Sequence, residues 1–407
     1  MIPADLGAEL AAAIKDLVAA GRLPARAAGL STAGTWRPAP GRLAPDAVAG
    51  GAARYATSLP FELARLTGEE PRAIAAELGR AVMRAGWVAS AEPAGAGYLT
   101  IGVTAAALTG VAVQISRAGA SCMRSDALQS VSRAAPPLPD LAAPLSWRQA
   151  WRDQAAALAG RLAQAAGATA VPLGNPSADA PSPDAQPASR AAGSGSDGPI
   201  SSTVAEAVAY AGADAVRYWL ARMPAARAGL DQAASVGHDP VGQYGPPSDS
   251  APLEPAPPSY PAPVYPAPSY LRDFAAVSFA AADAAATGRW AAELGLARLE
   301  PLVAGHLGQP AEIALLTELS WLAERVAGAA RRRQPHELPR YLERLAGGWL
   351  DCRENCPALP FGGRAAPGAA AGISARLWLA EAAATALAAG LDLVGVSAVT
   401  AGSEHLS

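Results

Sequence analysis

The sequence predicts a mostly α-helical protein with a small α+β domain at its N-terminus, a linker region in the middle and an antiparallel helical bundle at its C-terminus. Three observations predict this fold class. Apolar residues recur at three- and four-residue spacing near both ends of the chain, which is the period of an amphipathic helix. Two short strand-like segments lie within residues 1–104. Between the two ends, tracts rich in proline and small polar residues cannot support a core.

The composition limits the possible functions. The chain has 407 residues, of which 51% are hydrophobic, so two or three domains with sizeable cores can form, although alanine buries little area. The net charge of −3 excludes a globally basic nucleic-acid-binding protein. A nucleic-acid interface would depend on local arginine clusters such as residues 331–333 and would be sensitive to salt. The alternative interpretation of this cluster is a solvated helix end, where cations interact favourably with the helix dipole.

Cysteine usage and the chain ends predict the compartment. Cys352 and Cys356 are four residues apart and could share a helix face, with His336 as a candidate neighbour, but together with Cys122 they make an odd and scattered set. We expect three buried free thiols in a reducing compartment rather than a zinc site, and we predict no metal and no cofactor. The start of the chain lacks a basic region followed by an apolar run, and no uninterrupted apolar span has membrane length. We therefore expect a cytoplasmic protein that contacts no membrane.

The first 104 residues are expected to form the α+β domain. A first helix ends near Gly21, a second covers residues 59–66 and a third covers 71–85. Two strands follow, at residues 87–89 and 98–103. The apolar positions that define the first two helices are Leu6, Leu10, Ile14, Leu17, Val18, Leu59, Leu63 and Leu66.

The middle of the chain divides into three segments. Residues 105–202 are predicted to be a partly helical, low-complexity linker, with an amphipathic helix over 145–166. Residues 203–230 are predicted to form a helical connector. Residues 231–267 are predicted to be a Pro-rich linker, because ten prolines lie within residues 246–268 and favour an extended polyproline conformation. A docking ligand for a Pro-binding partner is the alternative interpretation of this tract.

Residues 268–407 are predicted to form the helical bundle. Three apolar stripes at helical spacing define its later helices. The stripes comprise Ile313, Leu316, Leu319, Leu322 and Val326, then Leu338, Leu342, Leu345 and Trp349, and finally Leu377, Ala380, Ala384 and Leu387. Gly390 is placed where the last helix is expected to stop, and residues 391–396 then lead out of it. A bundle of this kind by itself indicates no chemistry.

Several segments resemble arginyl-tRNA synthetases. The residues that match the C-terminal DALR-type anticodon-binding domain of that family are Pro335, His336, Leu338, Arg340, Tyr341, Leu342, Cys356, Leu359, Pro360 and residues 391–397. Residues 53–58 (ARYATS) and 94–101 (AGAGYLTI) resemble two stretches of the family's N-terminal domain, which leans on the elbow of tRNA. Residues 212–218 resemble the segment that joins the family's catalytic core to its anticodon domain.

The resemblance implies tRNA-contacting residues in two modules. In the N-terminal module these are Arg54, Tyr55 and Tyr98, with the alternative that both tyrosines only cap the small core. In the bundle they are Tyr270, Phe274, Arg340, Arg344, Trp349 and Arg353. Aromatic side chains either stack on unpaired anticodon bases or pack in the core, and packing is the favoured interpretation of Phe274. Departures from the family pattern, such as Asp351 in place of a basic residue, weaken the expectation of arginine-anticodon specificity.

The catalytic signatures of the family are missing from the chain. Its histidines are His238, His306, His336 and His405, and its single lysine is Lys15. Neither a His-Ile-Gly-His nor a Lys-Met-Ser-Lys-Ser element is therefore present to stabilise the ATP phosphates. We interpret the chain as a non-catalytic, synthetase-derived tRNA-binding protein that presents tRNA or aminoacyl-tRNA to a partner enzyme.

Two other functions remain open. One is enzymatic: an arginine-tRNA ligase activity, or a tRNA-dependent ligation in which a separate catalytic protein supplies the chemistry. The other is a protein-interaction scaffold, which the negative net charge and the Pro-rich linker favour. The partners expected from the resemblance are tRNA, arginine tRNA in particular, and a separate catalytic protein.

Overall fold

The computed structural model describes residues 2–32, 34–39, 53–171, 203–224, 268–300, 302, 305–360 and 369–397, with the backbone alone at residues 268–270. Within these residues the fold class predicted from the sequence is confirmed. The protein is mostly helical, with a small antiparallel sheet near its N-terminus and a helical bundle at its C-terminus. Helices prevail because alanine and leucine, both strong helix formers, recur throughout the described chain.

The N-terminal domain is built from helices around a four-stranded sheet. Its helices are α1 (Ile2–Ala19), α2 (Leu59–Thr67) and α3 (Pro71–Val82), close to the predicted spans. Its strands are β1 (Trp36–Pro38), β2 (Ala53–Thr57), β3 (Val88–Ala94) and β4 (Tyr98–Val103), paired antiparallel in the order β1-β2-β4-β3. The sequence analysis predicted β4 and the start of β3. It missed β1 and β2, which are short segments without a clear apolar alternation.

Residues 105–171 are packed structure, so their description as part of a linker is corrected. They contain α4 (Ala105–Ala118), a 3-10 turn (Gly119–Met123), β5 (Ser132–Ala134), α5 (Trp147–Ala165) and β6 (Thr169–Val171). The helix predicted over 145–166 is confirmed as α5. The sequence analysis did not predict α4, whose buried stripe packs against the bundle. That stripe consists of Leu108, Val111, Ala112 and Ile115.

The strands β5 and β6, with α5 between them, form a parallel β-α-β unit. Ser132 lies opposite Thr169 in the pairing. α5 packs closely on the end of β5, since a Cβ on Gly160 would lie 2.5 Å from Ala135 Cα. Parallel strands joined by a helix are the elementary unit of nucleotide-binding folds. The loop between β5 and α5, residues 135–146, contains no glycine and no histidine, so it lacks the residue types that cradle phosphates in such folds.

The predicted helical connector is divided into two helices. α6 (Val204–Ala211) and α7 (Ala213–Arg222) meet at Gly212, whose φ of 84° interrupts the helical backbone. A small core separate from the main one surrounds them. Its buried members are Leu141, Ala150, Val204, Ala207, Val216, Leu220 and Met223. This segment is fastened to the bundle by Tyr218, whose hydroxyl donates to the carbonyl of Pro339 at 3.0 Å.

The C-terminal bundle has one central helix. Its helices are α8 (Pro268–Glu293), α9 (Pro310–Ser320), α10 (Leu322–Arg332), α11 (Glu337–Asn355) and α12 (Ala370–Val394). α12 packs against α4, α8 and α11, and its many alanines allow these neighbours to approach closely. The three predicted apolar stripes are buried except at Ala384, which is half-buried. The antiparallel bundle predicted for this region is therefore present.

The structure of α12 corrects two expectations. The helix does not stop at Gly390 but continues to Val394 and ends at Gly395, whose φ is 86°. Gly390 instead allows α11 to approach, because a Cβ there would lie 2.3 Å from Leu342 Cδ2. By length and composition α12 is also apolar enough to cross a membrane, a span that the sequence analysis did not identify. In the structure 67% of its apolar window is buried, as in the core helix of a bundle.

The N-terminal domain contacts the bundle through Tyr55. Its hydroxyl oxygen lies 2.7 Å from Ser320 Oγ, and its ring centroid lies 5.4 Å from that of Trp321. Because Ser320 Oγ donates to the carbonyl of Thr317, Tyr55 donates this bond. The side chain of Tyr55 is fully buried, and burial raises the pKa of its phenol far above the usual value. A single buried hydrogen bond thus links the two terminal domains at this point.

Replacing Tyr55 with phenylalanine is expected to lower the free energy of unfolding by about 1 kcal/mol, because the ring stays packed while the hydrogen bond is lost. Ser320→Ala removes the acceptor of the same bond. The two losses are expected to be less than additive in the double variant, since both variants remove one shared interaction. Urea unfolding followed by circular dichroism measures all three. Strictly additive losses would show that the bond does not couple the two domains.

Candidate nucleic-acid interface

The structure separates the nine residues that the sequence analysis assigned to RNA contact. Three lie on the N-terminal sheet and six on α8 and α11. Their side chains fall into four groups: Arg54, Arg340, Arg344 and Arg353 are exposed, Tyr98 and Phe274 are half-buried, Tyr55 and Trp349 are buried, and that of Tyr270 lies outside the described residues. The nine residues therefore do not form one surface.

Two of the aromatic residues proposed to contact RNA are packing residues in this structure. Tyr55 is enclosed by its contact with Ser320, so it offers no face to RNA, and its assignment as a contact is corrected. Phe274 packs against Tyr218, with ring centroids 5.5 Å apart. Tyr218 is itself fully buried, and burial raises the pKa of its hydroxyl well above the usual value. The packing interpretation of Phe274 is therefore the one that the geometry supports.

Trp349 and Arg353 are joined by a buried carboxylate that the sequence analysis did not consider. Asp283, on α8, is 6% exposed. Its Oδ2 accepts a hydrogen bond from Trp349 Nε1 at 3.0 Å and lies 3.1 Å from Arg353 Nε. The two donors are four residues apart on α11 and so project from the same side of it. The indole of Trp349 is buried by this arrangement, which corrects its assignment as an RNA contact, whereas the side chain of Arg353 stays 49% exposed.

A cleft of about 570 Å³ opens beside this group, between α8, the end of α11 and α12. Its lining includes Trp349, Arg353, Arg376 and, on α8, Trp290. The indole of Trp290 is 45% exposed, which makes it the accessible aromatic plane of the cleft. The sequence analysis missed Trp290 because a tryptophan in an alanine-rich helix resembles a core residue. The polar Arg289 beside it was the available sign of an exposed position.

A second buried carboxylate pairs with the other arginine of the cleft. Glu312 is fully buried. Its Oε1 accepts from Arg376 Nε at 2.7 Å, and its Oε2 accepts from the backbone N–H of Gln309 at 2.9 Å. Each guanidinium of the cleft is therefore balanced by an inward carboxylate, and Glu354 also lines the cleft, so the cleft carries no net positive charge. A neutral, planar nucleobase suits such a site better than a phosphate does, because it can stack on an indole and accept hydrogen bonds from guanidinium edges.

The expectation of buried free thiols is confirmed for all three cysteines. Burial raises the pKa of Cys122 to about 11 and that of Cys352 to about 12, and it also raises the pKa of Cys356. These thiols are therefore protonated and weakly nucleophilic at neutral pH. The idea that His336 lies near Cys352 is wrong, since they stand at opposite ends of α11, about 24 Å apart along its axis. Among the described residues, no three His, Cys, Asp or Glu side chains are placed to hold a metal ion.

The arginine cluster at residues 331–333 is largely balanced by carboxylates. Arg331 pairs with Glu324, and Arg332 pairs with Glu337. Arg333 ends α10 in the left-handed conformation, with a φ of 54°. The arrangement fits the interpretation of this cluster as a solvated helix end better than a dedicated RNA site.

Arg340 and Arg344 lie on a different side of α11 from the cleft. Arg344 sits over the ring of the buried Tyr341, with its Cζ 5.7 Å from the centroid. Burial, and then the positive charge of Arg340, lower the pKa of His336 nearby. Nine residues separate Arg344 from Arg353, which is two and a half turns, so the two side chains leave α11 in opposite directions. Among the predicted contact residues whose side chains the structure describes, Trp349 and Arg353 are the two that line the cleft.

Comparisons with known proteins identify what the C-terminal part of the chain is similar to. Residues 297–401 match the family model of the DALR anticodon binding domain. Arginine–tRNA ligase of Renibacterium salmoninarum is 40% identical over 95 residues, covering 23% of this chain and 17% of the relative. That of Clavibacter sepedonicus is 40% identical over 92 residues, covering 23% and 16%. The matched segment thus spans less than a fifth of the length of these relatives.

A solved arginyl-tRNA synthetase from Thermus thermophilus has a similar fold. The two chains superpose with a TM-score of 0.50 at 17% identity, and the alignment covers 98% of this chain and 100% of the other. At this identity the likeness concerns the fold alone. The local sequence matches and the helical bundle point the same way: residues 297–401 match the DALR anticodon binding domain, and part of this chain is similar in sequence to arginine–tRNA ligases.

Proposed function

We propose that this chain binds tRNA, with the cleft between α8, α11 and α12 as the site for unpaired anticodon bases. Trp290 provides the stacking plane, and Arg353 and Arg376 donate hydrogen bonds to base edges or to the adjoining backbone. The observation that carries the proposal is the exposed indole of Trp290 in a cleft that Arg353 also lines, within a region that matches an anticodon-binding family. Because the relatives are named arginine–tRNA ligases, we propose an arginine tRNA as the preferred ligand.

The charges around the cleft favour modest, salt-sensitive binding. The net charge of the chain is −3, and Arg353 and Arg376 each have a carboxylate partner. Stacking rather than ion pairing would then supply most of the affinity at the cleft. Arg340 and Arg344, on the other side of α11, would contribute mainly through long-range attraction of the RNA.

We further propose that the chain forms no aminoacyl-adenylate by itself and presents tRNA or aminoacyl-tRNA to a separate catalytic protein. Support comes from the single lysine at position 15 and from the first histidine, which occurs only at position 238. The histidine and lysine side chains that stabilise the ATP phosphates in class I synthetases belong to two signatures that this sequence does not contain. The β5–α5 loop, which lacks glycine and histidine, supports the same interpretation.

Titration of the full chain with a labelled mixture of bacterial tRNAs tests the binding proposal. We expect saturable binding. The logarithm of the association constant should fall linearly with the logarithm of the salt concentration between about 50 and about 200 mM, with a slope of roughly one unit per phosphate contact. No saturable binding at the lowest salt would falsify it. Sequencing the RNA that copurifies with the tagged chain then identifies the preferred tRNA.

Arginine-dependent exchange of pyrophosphate into ATP tests the non-catalytic part separately. We expect no exchange above the level of a no-enzyme control, because neither phosphate-binding signature is present. Clear exchange would contradict the non-catalytic proposal and leave the binding proposal standing.

A further inference from the structure

A second cavity, distinct from the cleft, lies between α4 and α12. Its volume is about 340 Å³, and α4 lines it from Ala106 to Arg117, about 16 Å along the helix axis. Glu300, Leu302 and, on α12, Trp378 complete the lining. The cavity shares no lining residue with the cleft, so a ligand in one leaves the other open.

We propose that this cavity binds a free aromatic amino acid. The ring of the ligand lies between α4 and Trp378, and its α-carboxylate and α-ammonium groups lie at Arg117 and Glu300. The ligand is thus a small zwitterion with an apolar body, and tyrosine suits the lining best. The proposal goes beyond the proposed function, because it requires no RNA and stands or falls independently of tRNA binding.

The walls of the cavity suit an uncharged ring. Val113, Leu302 and Trp378 contribute apolar side chains. Gly110 leaves room in the wall of α4, since no atom lies within 4 Å of the place where a Cβ would be. Small-molecule sites have volumes of roughly 300 to 1,000 Å³. A cavity of about 340 Å³ is at the lower end of this range, which suits a single ring better than a nucleotide.

The indole of Trp378 is fixed by its neighbours. Its Nε1 donates a hydrogen bond to the carbonyl of Leu299 at 3.2 Å, and Arg298 Cζ lies 4.7 Å from the ring centroid. Aromatic pairs attract each other beyond the effect of their buried area. Because the indole is already held in place, a ring that packs against it costs little additional conformational entropy on the protein side.

A buried hydroxyl without a partner lines the same cavity. Thr109 is 2% exposed, and its Oγ1 forms no hydrogen bond within the part of the chain that the structure describes. Buried hydroxyl groups normally have a partner, because an unpaired one loses its bonds to water without compensation. A phenolic hydroxyl can both donate and accept a hydrogen bond. Tyrosine can therefore satisfy Thr109, whereas phenylalanine cannot.

An exposed ion pair fits the two charges of the zwitterion. Arg117 Nη2 lies 3.4 Å from Glu300 Oε1, and the two side chains are 67% and 61% exposed. Such exposed pairs contribute little stability, so each group can exchange its partner for a group of the ligand at small cost. A ligand with one charge would instead face a like charge, an anion at Glu300 and a cation at Arg117.

Equilibrium dialysis of the full chain with radiolabelled L-tyrosine tests the proposal. We expect saturable binding of one molecule per chain with a Kd of about 1 mM or lower. In competition, L-phenylalanine, N-acetyltyrosine and tyrosinamide are each expected to bind several-fold more weakly, because each lacks one of the three polar groups. Absence of saturable tyrosine binding would overturn the proposal. Equal affinity of tyrosine, N-acetyltyrosine and tyrosinamide would overturn the recognition of a zwitterion.

Gly110→Leu tests whether the ligand lies in this cavity. The leucine side chain fills the space beside α4 and is expected to abolish tyrosine binding. The midpoint of thermal unfolding is not expected to fall, because leucine is a better helix former than glycine and the space is open. Gly347→Leu is the matched control, at a helical glycine of α11 that also has open space and lines neither cavity. Tyrosine binding that survives in Gly110→Leu would overturn the site.

Two variants test the polar groups one at a time. Thr109→Val keeps the shape of the side chain and is expected to bind tyrosine and phenylalanine equally, since the hydroxyl is gone. Arg117→Ala is expected to bind tyrosine several-fold more weakly but to bind tyrosinamide, which has no carboxylate, no more weakly than the unsubstituted chain does. A preference for tyrosine that persists in Thr109→Val, or equal losses of both ligands in Arg117→Ala, would contradict the assigned contacts.

Discussion

Replacing Trp290 with alanine is expected to lower the affinity for an anticodon stem-loop by about 1 to 3 kcal/mol, or roughly 5- to 150-fold, the usual contribution of one base stacked on an aromatic side chain. The indole is the accessible plane of the cleft, and Arg353 lines the same cleft. Folding should be little affected, because the side chain is 45% exposed. Fluorescence anisotropy of a labelled stem-loop measures the change.

Phe279→Ala provides the matched control for this variant. Phe279 is 54% exposed on the same helix, three turns before Trp290, and it does not line the cleft. The Phe279→Ala substitution removes a similar aromatic surface about 16 Å from Trp290 along α8. Trp290→Phe should retain most of the affinity, since it keeps a stacking plane. Equal losses in Phe279→Ala and Trp290→Ala would show that the cleft is not the base site.

Replacing Asp283 with alanine is expected to lower the free energy of unfolding by about 2 to 4 kcal/mol. The change leaves the buried Trp349 Nε1 without its acceptor and Arg353 without its partner. Because Arg353 is half exposed, water can replace its partner, so most of the loss comes from the indole N–H and the cavity. Urea unfolding measures the loss, and the same variant should also bind the stem-loop more weakly because Arg353 is no longer oriented.

Two variants distinguish the effect of losing the buried hydrogen bond from the general effect of removing a negative charge. Asp351→Ala removes an exposed carboxylate from the same part of α11 and is expected to change stability by no more than about 0.5 kcal/mol. In the double variant Asp283→Ala with Trp349→Phe, part of the loss is expected to be recovered relative to the sum of the single variants, since no indole N–H remains unpaired. Full additivity would show that the Asp283–Trp349 bond does not stabilise the bundle.

The helical bundle was predictable because its apolar stripes alone define it. Leu316, Leu342 and Leu387 each belong to one of the three stripes, whose members recur at helical spacing, and all three are fully buried in the structure. Their burial follows from the periodic spacing of apolar residues, which can be read directly from the sequence. α4 was missed despite a similar stripe, because its position after β4 led to the expectation of a linker. Gly390 was misassigned for a related reason, since a glycine near a helix end can serve either as a stop or as a close contact.

The candidate site was much less predictable than the fold. Tyr55 and Trp349 were selected as aromatic residues, but whether an aromatic side chain faces solvent depends on which domain or helix lies over it. Tyr55 is covered by α9 and α10, and the indole of Trp349 is buried where it donates a hydrogen bond to Asp283. Trp290 was overlooked for the opposite reason, because its exposure depends on how α8, α11 and α12 pack around the cleft.

The sequence by itself determined the helical periods, the order of the segments, the resemblance to arginyl-tRNA synthetases and the residue types available for adenylate chemistry. These depend on local spacing and on composition, which need no knowledge of long-range contacts. The tertiary structure alone decided which arginines are balanced by buried carboxylates, which aromatic rings remain accessible and how the N-terminal sheet meets the bundle. Burial and pairing are properties of two surfaces brought together, so Asp283 and Glu312 acquire their roles only when α8, α9, α11 and α12 pack.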